Sequence, residues 1–439
     1  MVSISNNTTT FICEPTENEW GTYSTISWWM DGIVSPVIAS SGMLLNTIAC
    51  VTLISSKKIE TIFFNRLLVC LAIFDNLFLS IGISEAIRKY LIRSSYIYDY
   101  AFIKFIFPFR SMVMFCSMYT TIILAFIRHS AIKNPLNYKA RSEENARSYM
   151  SVVNYITPVF LSSILFYSPK FFEFNISHSH EMCQTNYSVQ NTSENIQVRP
   201  FHDYLITETN LRKNKSYIFW YSNIFNHIVT LVLPLILLVF FNLGIYFELK
   251  SFKSRQPSSR RQMQDTKSIT NDKGKKQEEK NRNEQSIIVI SLVFMFILCH
   301  FIRAVLNIQE LVNFEWKFTE IARGCAGVKY WAMVLVPFSE FMLLTNSSAN
   351  FFIYFLFHNE FRHLIQKRRD QMITGVKDKM NYSRTNCGNV STNVQPQQST
   401  IEFFECNGIS GTSGIDVIPP KHTNKIEMIG MVEIQDDLV

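Results

Sequence analysis

Glycine and proline are scarce in this chain of 439 residues, with 14 and 13 copies, and only 18% of the residues are charged. The sequence also lacks the mixed polar and apolar periodicity that the two or three domains of a soluble protein of this length would have. It contains no HExxH, GxSxG or phosphate-loop motif, which argues against an enzyme. The nine cysteines are scattered and form no metal-binding motif.

Long apolar blocks dominate the sequence, and the charges are collected in the gaps between them. Seven blocks approach the roughly 20 residues that are needed to cross a bilayer. They run over about 29–54, 61–85, 105–129, 148–168, 221–247, 285–307 and 332–356. Because lipid offers no partners to backbone polar groups, each block is expected to be a helix. The sequence therefore predicts an all-α membrane protein, a seven-transmembrane helix bundle over 29–357.

The net charge of +7 comes largely from two basic regions, Lys250 to Arg282 and Arg362 to Arg369. Both lie beside apolar blocks, so we interpret them as cytoplasmic orientation signals and not as a nucleic-acid surface. The N-terminal segment 1–28 then lies outside a multi-pass protein of the plasma membrane, on the same side as the linker from about 170 to 220. The basic residues Arg88, Lys89 and Arg93 are exceptions on that outer side.

Glycosylation sequons cluster on the predicted outer side, which supports the orientation. They lie at Asn6, Asn7, Asn175, Asn186, Asn191 and Asn214. Cys13, Cys183 and Cys325 also fall on this side, where disulfides can form. The spacing leaves open whether Cys183 pairs with one of the other two or stays free.

The inner end of the seventh block continues into an amphipathic stretch over 358–370. This pattern is typical of a short eighth helix lying against lipid on the inner membrane surface, the alternative being a solvated helix end. The centre of the linker 254–284 and the cytoplasmic tail 371–439 are polar and are predicted to be disordered. Serines and threonines in the tail are candidate phosphorylation sites for arrestin, and Asp437-Leu438-Val439 resembles a PDZ-binding end.

Polar residues inside the apolar blocks are costly in lipid and usually functional. One set consists of Asn46, Asp75, Ser117, Asn346, Ser347 and Asn350. If these side chains face inward together, they form an oxygen-rich pocket with one carboxylate, suited to a small hard cation or a water cluster. The alternative is that each makes only a hydrogen bond between helices.

Ionisable residues also lie in the outer parts of the blocks, at Glu85, Arg110 and Glu340. Arg110 disfavours an amine ligand, because two cations would meet. One hypothesis is that a basic, C-terminally amidated peptide engages Glu85 or Glu340. The alternative is a ligand-free Arg–Glu network that joins three helices. We assign these three residues and His300 to the candidate ligand pocket.

Several segments resemble motifs of rhodopsin-like (class A) G-protein-coupled receptors, in the same order and spacing. They are Leu71 to Asp75, Arg128 to Leu136 and Asn350 to Tyr354. Ser168 to Glu173, Leu211 to Asn214 and Asn346 to Phe351 are similar to blocks of invertebrate FMRFamide and related neuropeptide receptors. The resemblance covers about residues 30 to 370.

This resemblance implies a receptor for an FMRFamide-like neuropeptide that passes ligand binding to a heterotrimeric G protein. It implies coupling roles for Arg128 and Tyr354, and a sodium pocket around Asp75. Apart from sodium, no cofactor is expected. The alternative is a seven-helix protein with divergent or no G-protein coupling, such as a scaffold. A transporter is a weaker alternative, because the sequence contains no internal repeat.

Three departures from the family pattern bear on function. Ile127 stands where an acid normally restrains the following arginine, so we predict raised basal signalling and expect Ile127→Asp to lower it, unless Glu284 or another acid compensates. His129 replaces the usual aromatic residue. Ile103 stands where a cysteine would bridge to Cys183, which removes the usual outer disulfide.

Overall fold

The computed structural model of the chain describes residues 15–55, 59–91, 96–135, 138, 150–178, 204–259, 269–323, 327–359, 361–371 and 373–374. Helices cover most of these residues. The α-helices are Glu17–Trp29, Ser35–Ile54, Ile59–Tyr90, Tyr96–Ala101, Phe107–Lys133, Met150–Tyr167, Lys215–Tyr217, Leu233–Ser259, Ile269–Val312, Phe314–Ala322, Tyr330–Ser348 and Asn350–Phe357. Wider π-helical turns lie at Met30–Val34, Phe102–Ile106, Ile218–Phe225 and Ile228–Val232, and a 3-10 turn lies at Ser168–Phe172.

Six helical stretches of the described chain are long and apolar enough to cross a membrane. We number these spans one to six: Asn18–Ile54, Ile62–Tyr90, Tyr96–Lys133, Met150–Phe172, Lys215–Glu248 and Glu284–Val312. Span seven consists of Tyr330–Ser348 and Asn350–Phe357, which are divided at Ala349. Span seven is less apolar because it contains Glu340 and Asn346. The predicted helical bundle is confirmed, with helices at all seven apolar blocks.

The helix of the first span begins 12 residues earlier than the apolar block predicted, at Glu17 instead of 29. Its outer turns are helical because Trp20 and Tyr23 are buried against Val328 and Met333 near the start of span seven. This contact between distant segments has no counterpart in local hydropathy. The segment 1–28 predicted as a separate extracellular N-terminus therefore includes part of the first helix.

The flanks of the basic linker are also helical. Helix Leu233–Ser259 extends span five inward, and helix Ile269–Val312 begins well before the predicted start of block six at 285. These helices cover 254–259 and 269–284, the two flanks of the segment whose centre is predicted to be disordered. The centre of the linker, 260–268, lies outside the described residues.

A two-stranded hairpin between spans four and five is the exception to the all-α prediction. Strands β1 (Phe174–His178) and β2 (Tyr204–Glu208) are antiparallel, with Phe174 opposite Glu208. Phe174 packs in a buried cluster with Ile103 and Phe107 of span three. Lys104 Nζ also donates a hydrogen bond to the carbonyl of Phe174 at 2.5 Å. Apolar packing thus attaches the hairpin where the family pattern has a cysteine.

Residues 361–371 are helical and follow the inner end of span seven. Phe361 is fully buried and packs on Tyr354 and Phe351, with ring centroids 6.0 and 5.6 Å away. Arg368 donates a hydrogen bond to the carbonyl of Val51 at 3.1 Å. The helix is thereby attached to spans one and seven, while its predicted position on the membrane surface stays a prediction. The tail beyond residue 374 lies outside the described residues.

Spans one and seven are closely packed at Gly42. A Cβ atom there would overlap the hydroxyl of Ser348 and lie 2.6 Å from its Cβ. We expect Gly42→Ala to lower the Tm of the purified receptor by several degrees, because overpacking costs about 1–3 kcal/mol.

Gly21→Ala is the matched control, since a Cβ atom at Gly21 would meet no atom within 4 Å. Gly21 lies inside helix Glu17–Trp29, where alanine is favoured over glycine by about 1 kcal/mol. Its Tm should be unchanged or higher. Equal Tm values for Gly42→Ala and the wild type, measured by thermal unfolding in detergent, would contradict the close packing of spans one and seven.

Candidate functional site

The outer half of the bundle contains a buried ion-pair network centred on Arg110 of span three. This guanidinium is 4% exposed and donates a hydrogen bond to Glu85 Oε2 at 3.1 Å and another to Glu340 Oε2. It also lies over the ring of Phe78, 5.1 Å from the centroid. Arg110 therefore joins spans two, three and seven, as in the ligand-free network that the sequence left open as one alternative.

Two further cations complete this network. Lys89 Nζ lies 3.2 Å from Glu85 Oε1, one helical turn away on span two. An Arg303 nitrogen of span six lies 3.8 Å from Glu340 Oε1. Each carboxylate is therefore shared by two cations, and the buried Asp31 of span one is a third acid close to Lys89.

The outer basic residues of span two point into the protein. Arg88 pairs with Asp99 at 3.6 Å and lies over the ring of Phe102 at 4.6 Å. Lys89 faces Glu85, as described above. These two exceptions to the charge rule are therefore explained by inward ion pairs. Arg93 lies outside the described residues.

His300 is buried at 4% exposure on span six, and its ring packs against Phe296 with centroids 4.1 Å apart. No hydrogen bond joins His300 to the Arg110 network among the residues that the structure describes. The structure therefore brings together three of the four predicted ligand-pocket residues. His300 instead contributes an apolar, ring-stacking contact.

A second polar layer surrounds Asp75 in the middle of the bundle. Asp75 is 1% exposed, and its Oδ1 accepts a hydrogen bond from Ser117 Oγ at 2.8 Å. Its Oδ2 accepts a hydrogen bond from Asn350 Nδ2 at 2.5 Å, and the Ser347 side chain also bonds the carboxylate. Spans two, three and seven thus meet at one buried carboxylate.

Asn46 and Asn346, the other two members of the predicted polar set, differ from each other in their hydrogen bonds. Asn46 of span one donates from Nδ2 to the backbone carbonyl of Ser347 at 2.9 Å, while its buried Oδ1 has no partner. Asn346 is half-buried and makes no hydrogen bond with the described residues. Five of the six residues are therefore joined through Asp75 and Ser347, and Asn346 is not.

At the inner end of span three, Arg128 is 1% exposed and has no acidic partner among the described residues. It donates hydrogen bonds to Gln285 Oε1 of span six and to the hydroxyl of Tyr138, the latter at 2.8 Å. Its guanidinium lies over the ring of Phe64 at 4.2 Å. Neutral groups on span six and the inner loop therefore hold the arginine.

Glu284 does not supply the missing acid. Its carboxylate accepts hydrogen bonds from the backbone and side chain of Asn359, near the start of helix 361–371. Tyr354 is fully buried with an unpartnered hydroxyl, and no hydrogen bond joins it to Arg128 within the described chain. The two predicted coupling residues are thus held by separate contacts.

The predicted outer modifications are only partly within the described chain. Asn175 and Asn214 are exposed, on strand β1 and at the start of helix Lys215–Tyr217. Asn214 Oδ1 caps that helix by accepting from the backbone of Ser216 at 3.0 Å, so its Nδ2 is not used by the cap. The remaining sequons Asn6, Asn7, Asn186 and Asn191 lie outside the described residues, as do Cys183 and its two candidate partners.

Sequence reasoning missed two buried cations, Arg303 and Lys170. Arg303 is a charged residue within an apolar block, which is the signal that identified Arg110. Lys170 was noted only within a motif, yet it is 6% exposed and close to span three. Its neighbour Glu173 accepts a hydrogen bond from Tyr217 at 2.7 Å, which joins the end of span four to the start of span five.

The chain is similar to known proteins over most of its length. Residues 33–368 match the family model described as Serpentine type 7TM GPCR chemoreceptor Srw. A protein named FMRFamide receptor from Drosophila melanogaster is 24% identical over 370 residues. That alignment covers 81% of this chain and 56% of the relative, so the chain spans little more than half of the relative's length.

Proposed function

The chain belongs to the serpentine type 7TM GPCR chemoreceptor family Srw, and from this premise we propose that it is a rhodopsin-like receptor for an FMRFamide-like neuropeptide. Family membership makes it a multi-pass membrane receptor of the G-protein-coupled kind and not an enzyme. It also implies an extracellular ligand and a G-protein partner. The peptide class is supported by the name of the Drosophila relative and by the shared motifs.

The proposed mechanism is a shift between two arrangements of the helices. A ligand that binds the active arrangement more tightly than the inactive one increases its population. The outer network joins spans two, three, six and seven through Arg110 and Arg303, so a ligand that contacts it can change how these spans pack. At the inner end, movement of span six would separate Gln285 from Arg128 and free the arginine for a G protein.

The observation that carries this proposal is the Arg128–Gln285 hydrogen bond inside a bundle that matches the family from residue 33 to 368. This hydrogen bond connects spans three and six. Because Gln285 is neutral, the two spans can separate without leaving an unpaired acid.

The direct test is a screen of amidated neuropeptides on cells that express the receptor with a promiscuous G protein. We expect at least one peptide to raise intracellular calcium. Arg128→Ala should retain peptide binding and surface staining but lose the calcium response. If labelled peptide binds the surface receptor and no G protein responds, the scaffold alternative replaces this proposal.

The predicted ligand contacts at Glu85, Arg110, Glu340 and His300 remain part of the proposal. Because Arg110 already holds both carboxylates, a basic peptide would have to displace it to reach Glu340 or Glu85. Glu340→Gln should therefore reduce peptide potency if a ligand arginine binds there. Full potency in this variant would leave the acids with a structural role.

We also propose that the Asp75 layer binds sodium. The donor set suits a small hard cation, since it combines a buried carboxylate, the hydroxyl of Ser117 and the unpartnered Asn46 Oδ1. Asp75, Ser117, Asn350 and Asn46 would hold the ion. The ion would supply a positive charge that stabilises the inactive packing of spans two, three and seven.

Sodium dependence of thermal stability tests this site. Replacing choline chloride by sodium chloride at equal ionic strength should raise the Tm of the wild-type receptor by a few degrees, because an ion that binds only the folded state stabilises it. Asp75→Asn should abolish the increase. An equal response to sodium in Asp75→Asn and wild type would exclude Asp75 as the ligand.

Arrestin and a PDZ protein remain proposed partners of the tail, and lipid remains the proposed partner of helix 361–371. Localisation at the plasma membrane with an extracellular N-terminus is likewise proposed. It is supported by the exposed sequons at Asn175 and Asn214 and by the basic linkers on the opposite side. Loss of a glycosidase-sensitive gel shift in an Asn214→Gln variant would place that loop outside.

A further inference from the structure

A small cavity, with room for about one water-sized group, lies in the outer half of the bundle beside the Arg110 network. Its charged lining consists of three cations, Arg110 of span three, Lys170 of span four and Arg303 of span six. No acidic residue lines the cavity in the described part of the chain. The polar lining is completed by Ser111 and Asn226.

Two buried carboxylates that contact the cationic lining are already engaged. Glu85 and Glu340 both accept hydrogen bonds from Arg110. Glu340 is also the partner of Arg303, and Lys89 takes the second oxygen of Glu85. Both acids are therefore held by ion pairs within the bundle, and neither lines the cavity.

Lys170 is the least compensated of the three. Its Nζ donates to Ser111 Oγ at 3.4 Å and lies over the rings of Phe107 and Tyr167 at 5.4 and 5.7 Å. Within the described residues no carboxylate lies within ion-pair distance of this ammonium. Glu173 attracts this ammonium from beyond hydrogen-bond distance, and its carboxylate accepts a hydrogen bond from Tyr217.

A buried ammonium without a carboxylate costs several kcal/mol, so such groups are usually kept for a partner that is not always present. A positive, partly apolar cavity would repel a ligand arginine and attract an anion. Because the cavity is small, it suits a single charged group of a ligand and not a whole peptide.

We propose that this cavity binds an anionic group, a carboxylate or a sulfate, with Lys170 as its main partner and Arg110 and Arg303 beside it. The inference rests on the proposed receptor function and names the chemistry of its ligand. The anionic group belongs to an acidic residue of the peptide or to a free carboxylate. In this proposal an acidic group of the ligand binds the cationic cavity of the receptor. The hypothesis from the sequence was different, because there a basic group of the ligand binds Glu85 or Glu340 of the receptor.

The test uses the purified full-length receptor and does not depend on signalling. The probes are sulfate and succinate at fixed ionic strength, and the tripeptides acetyl-Phe-Asp-Phe-amide and acetyl-Phe-Asn-Phe-amide. We expect the anions or the Asp peptide to raise the Tm by a few degrees, with no increase from the Asn peptide. A response to the Asp peptide at a lower concentration than to succinate identifies a peptide acid, and the reverse identifies a free carboxylate.

Lys170→Gln should lose at least tenfold in affinity for the anionic probe, and Lys170→Arg should restore it. Without probe, Lys170→Gln should be as stable as the wild type or more so, because it removes a buried charge that has no carboxylate in direct contact. A purely structural Lys170 would give the opposite, a lower Tm and an unchanged response to anions. Lys213→Gln, which removes an exposed cation of the same loop region, is the matched control and should behave as wild type.

Failure of this inference and failure of the receptor function are distinguishable. If a peptide activates a G protein and Lys170→Gln leaves its potency unchanged, the receptor function stands and the anion site is wrong. If anions bind in a Lys170-dependent way and no G protein responds to any peptide, the anion site stands and the receptor function is wrong.

Discussion

Alanine in place of Arg110 is expected to remove most of the folded receptor from the cell surface. The guanidinium is 4% exposed and bonds Glu85 and Glu340 on two other spans. Its loss leaves each carboxylate with one cation, Lys89 at 3.2 Å and Arg303 at 3.8 Å. Breaking a buried ion pair on one side costs about 3–5 kcal/mol, which is a large part of the stability of a folded protein. Surface staining of a tagged receptor, normalised to total protein, measures the effect.

A charge-free triple variant separates the loss of charge balance from the loss of packing, and a variant of an exposed ion pair is the control. Arg110→Met combined with Glu85→Gln and Glu340→Gln removes all three charges, and should recover much of the surface expression. Lys215→Ala breaks an outer pair with Glu315 in which both side chains are exposed, at 50% and 78%, and exposed pairs contribute about 0–1 kcal/mol. It should leave expression unchanged. Normal surface staining of Arg110→Ala would contradict a central structural role for the network.

Gln285→Ala is expected to raise ligand-free signalling by roughly tenfold or more. Gln285 accepts a hydrogen bond from Arg128, whose only other hydrogen bond in the described chain is to Tyr138. A hydrogen bond to a charged group contributes about 1.5–3 kcal/mol, and each 1.4 kcal/mol changes a population ratio about tenfold. Basal cAMP or calcium signalling per surface receptor measures the change.

Ile127→Asp should act in the opposite direction, since an acid beside Arg128 would add an ion pair to the inactive arrangement. Ile127 is 4% exposed in the apolar core, so surface expression must be measured with the signal. Tyr138→Phe should give a smaller rise than Gln285→Ala, because Tyr138 does not connect Arg128 to span six. An unchanged baseline in Gln285→Ala would show that this contact does not restrain the receptor.

The prediction of raised basal signalling considered only acidic partners for Arg128. In the structure a neutral amide, Gln285, takes that place. Glutamine at the start of an apolar block gives no signal in a single sequence, because its partner depends on how spans three and six pack. Basal activity therefore depends on the strength of a neutral restraint, and its absolute level stays a prediction.

The fold was largely predictable because lipid requires long apolar helices, and each of the seven blocks became one. The grouping of Arg110 with Glu85 and Glu340 was also predictable, since ionisable groups inside a membrane must find each other. The early start of span one was not, because Trp20 and Tyr23 are buried by residues about 300 positions away. The hairpin was missed for a similar reason, since Phe174 is held by distant residues of span three.

The departures from the family pattern have structural counterparts. Ile103 packs against Phe174 where a disulfide would have attached the hairpin. His129 packs against Phe240 and Phe241 of span five, and Gly244 leaves room for its ring, since a Cβ atom there would lie 2.6 Å from His129 Cδ2. Sequence comparison alone identified these substitutions but could not supply their new partners.

The number of membrane crossings is the central claim, because the ligand cavity and the Arg128 contact have their roles only if they face opposite sides of the membrane. The most direct measurement is antibody staining of a receptor with one tag before Met1 and a different tag after Val439. In intact cells the N-terminal tag should be stained and the C-terminal tag should be stained only after permeabilisation. Staining of both tags in intact cells, or of neither, would mean an even number of crossings and would contradict the receptor assignment.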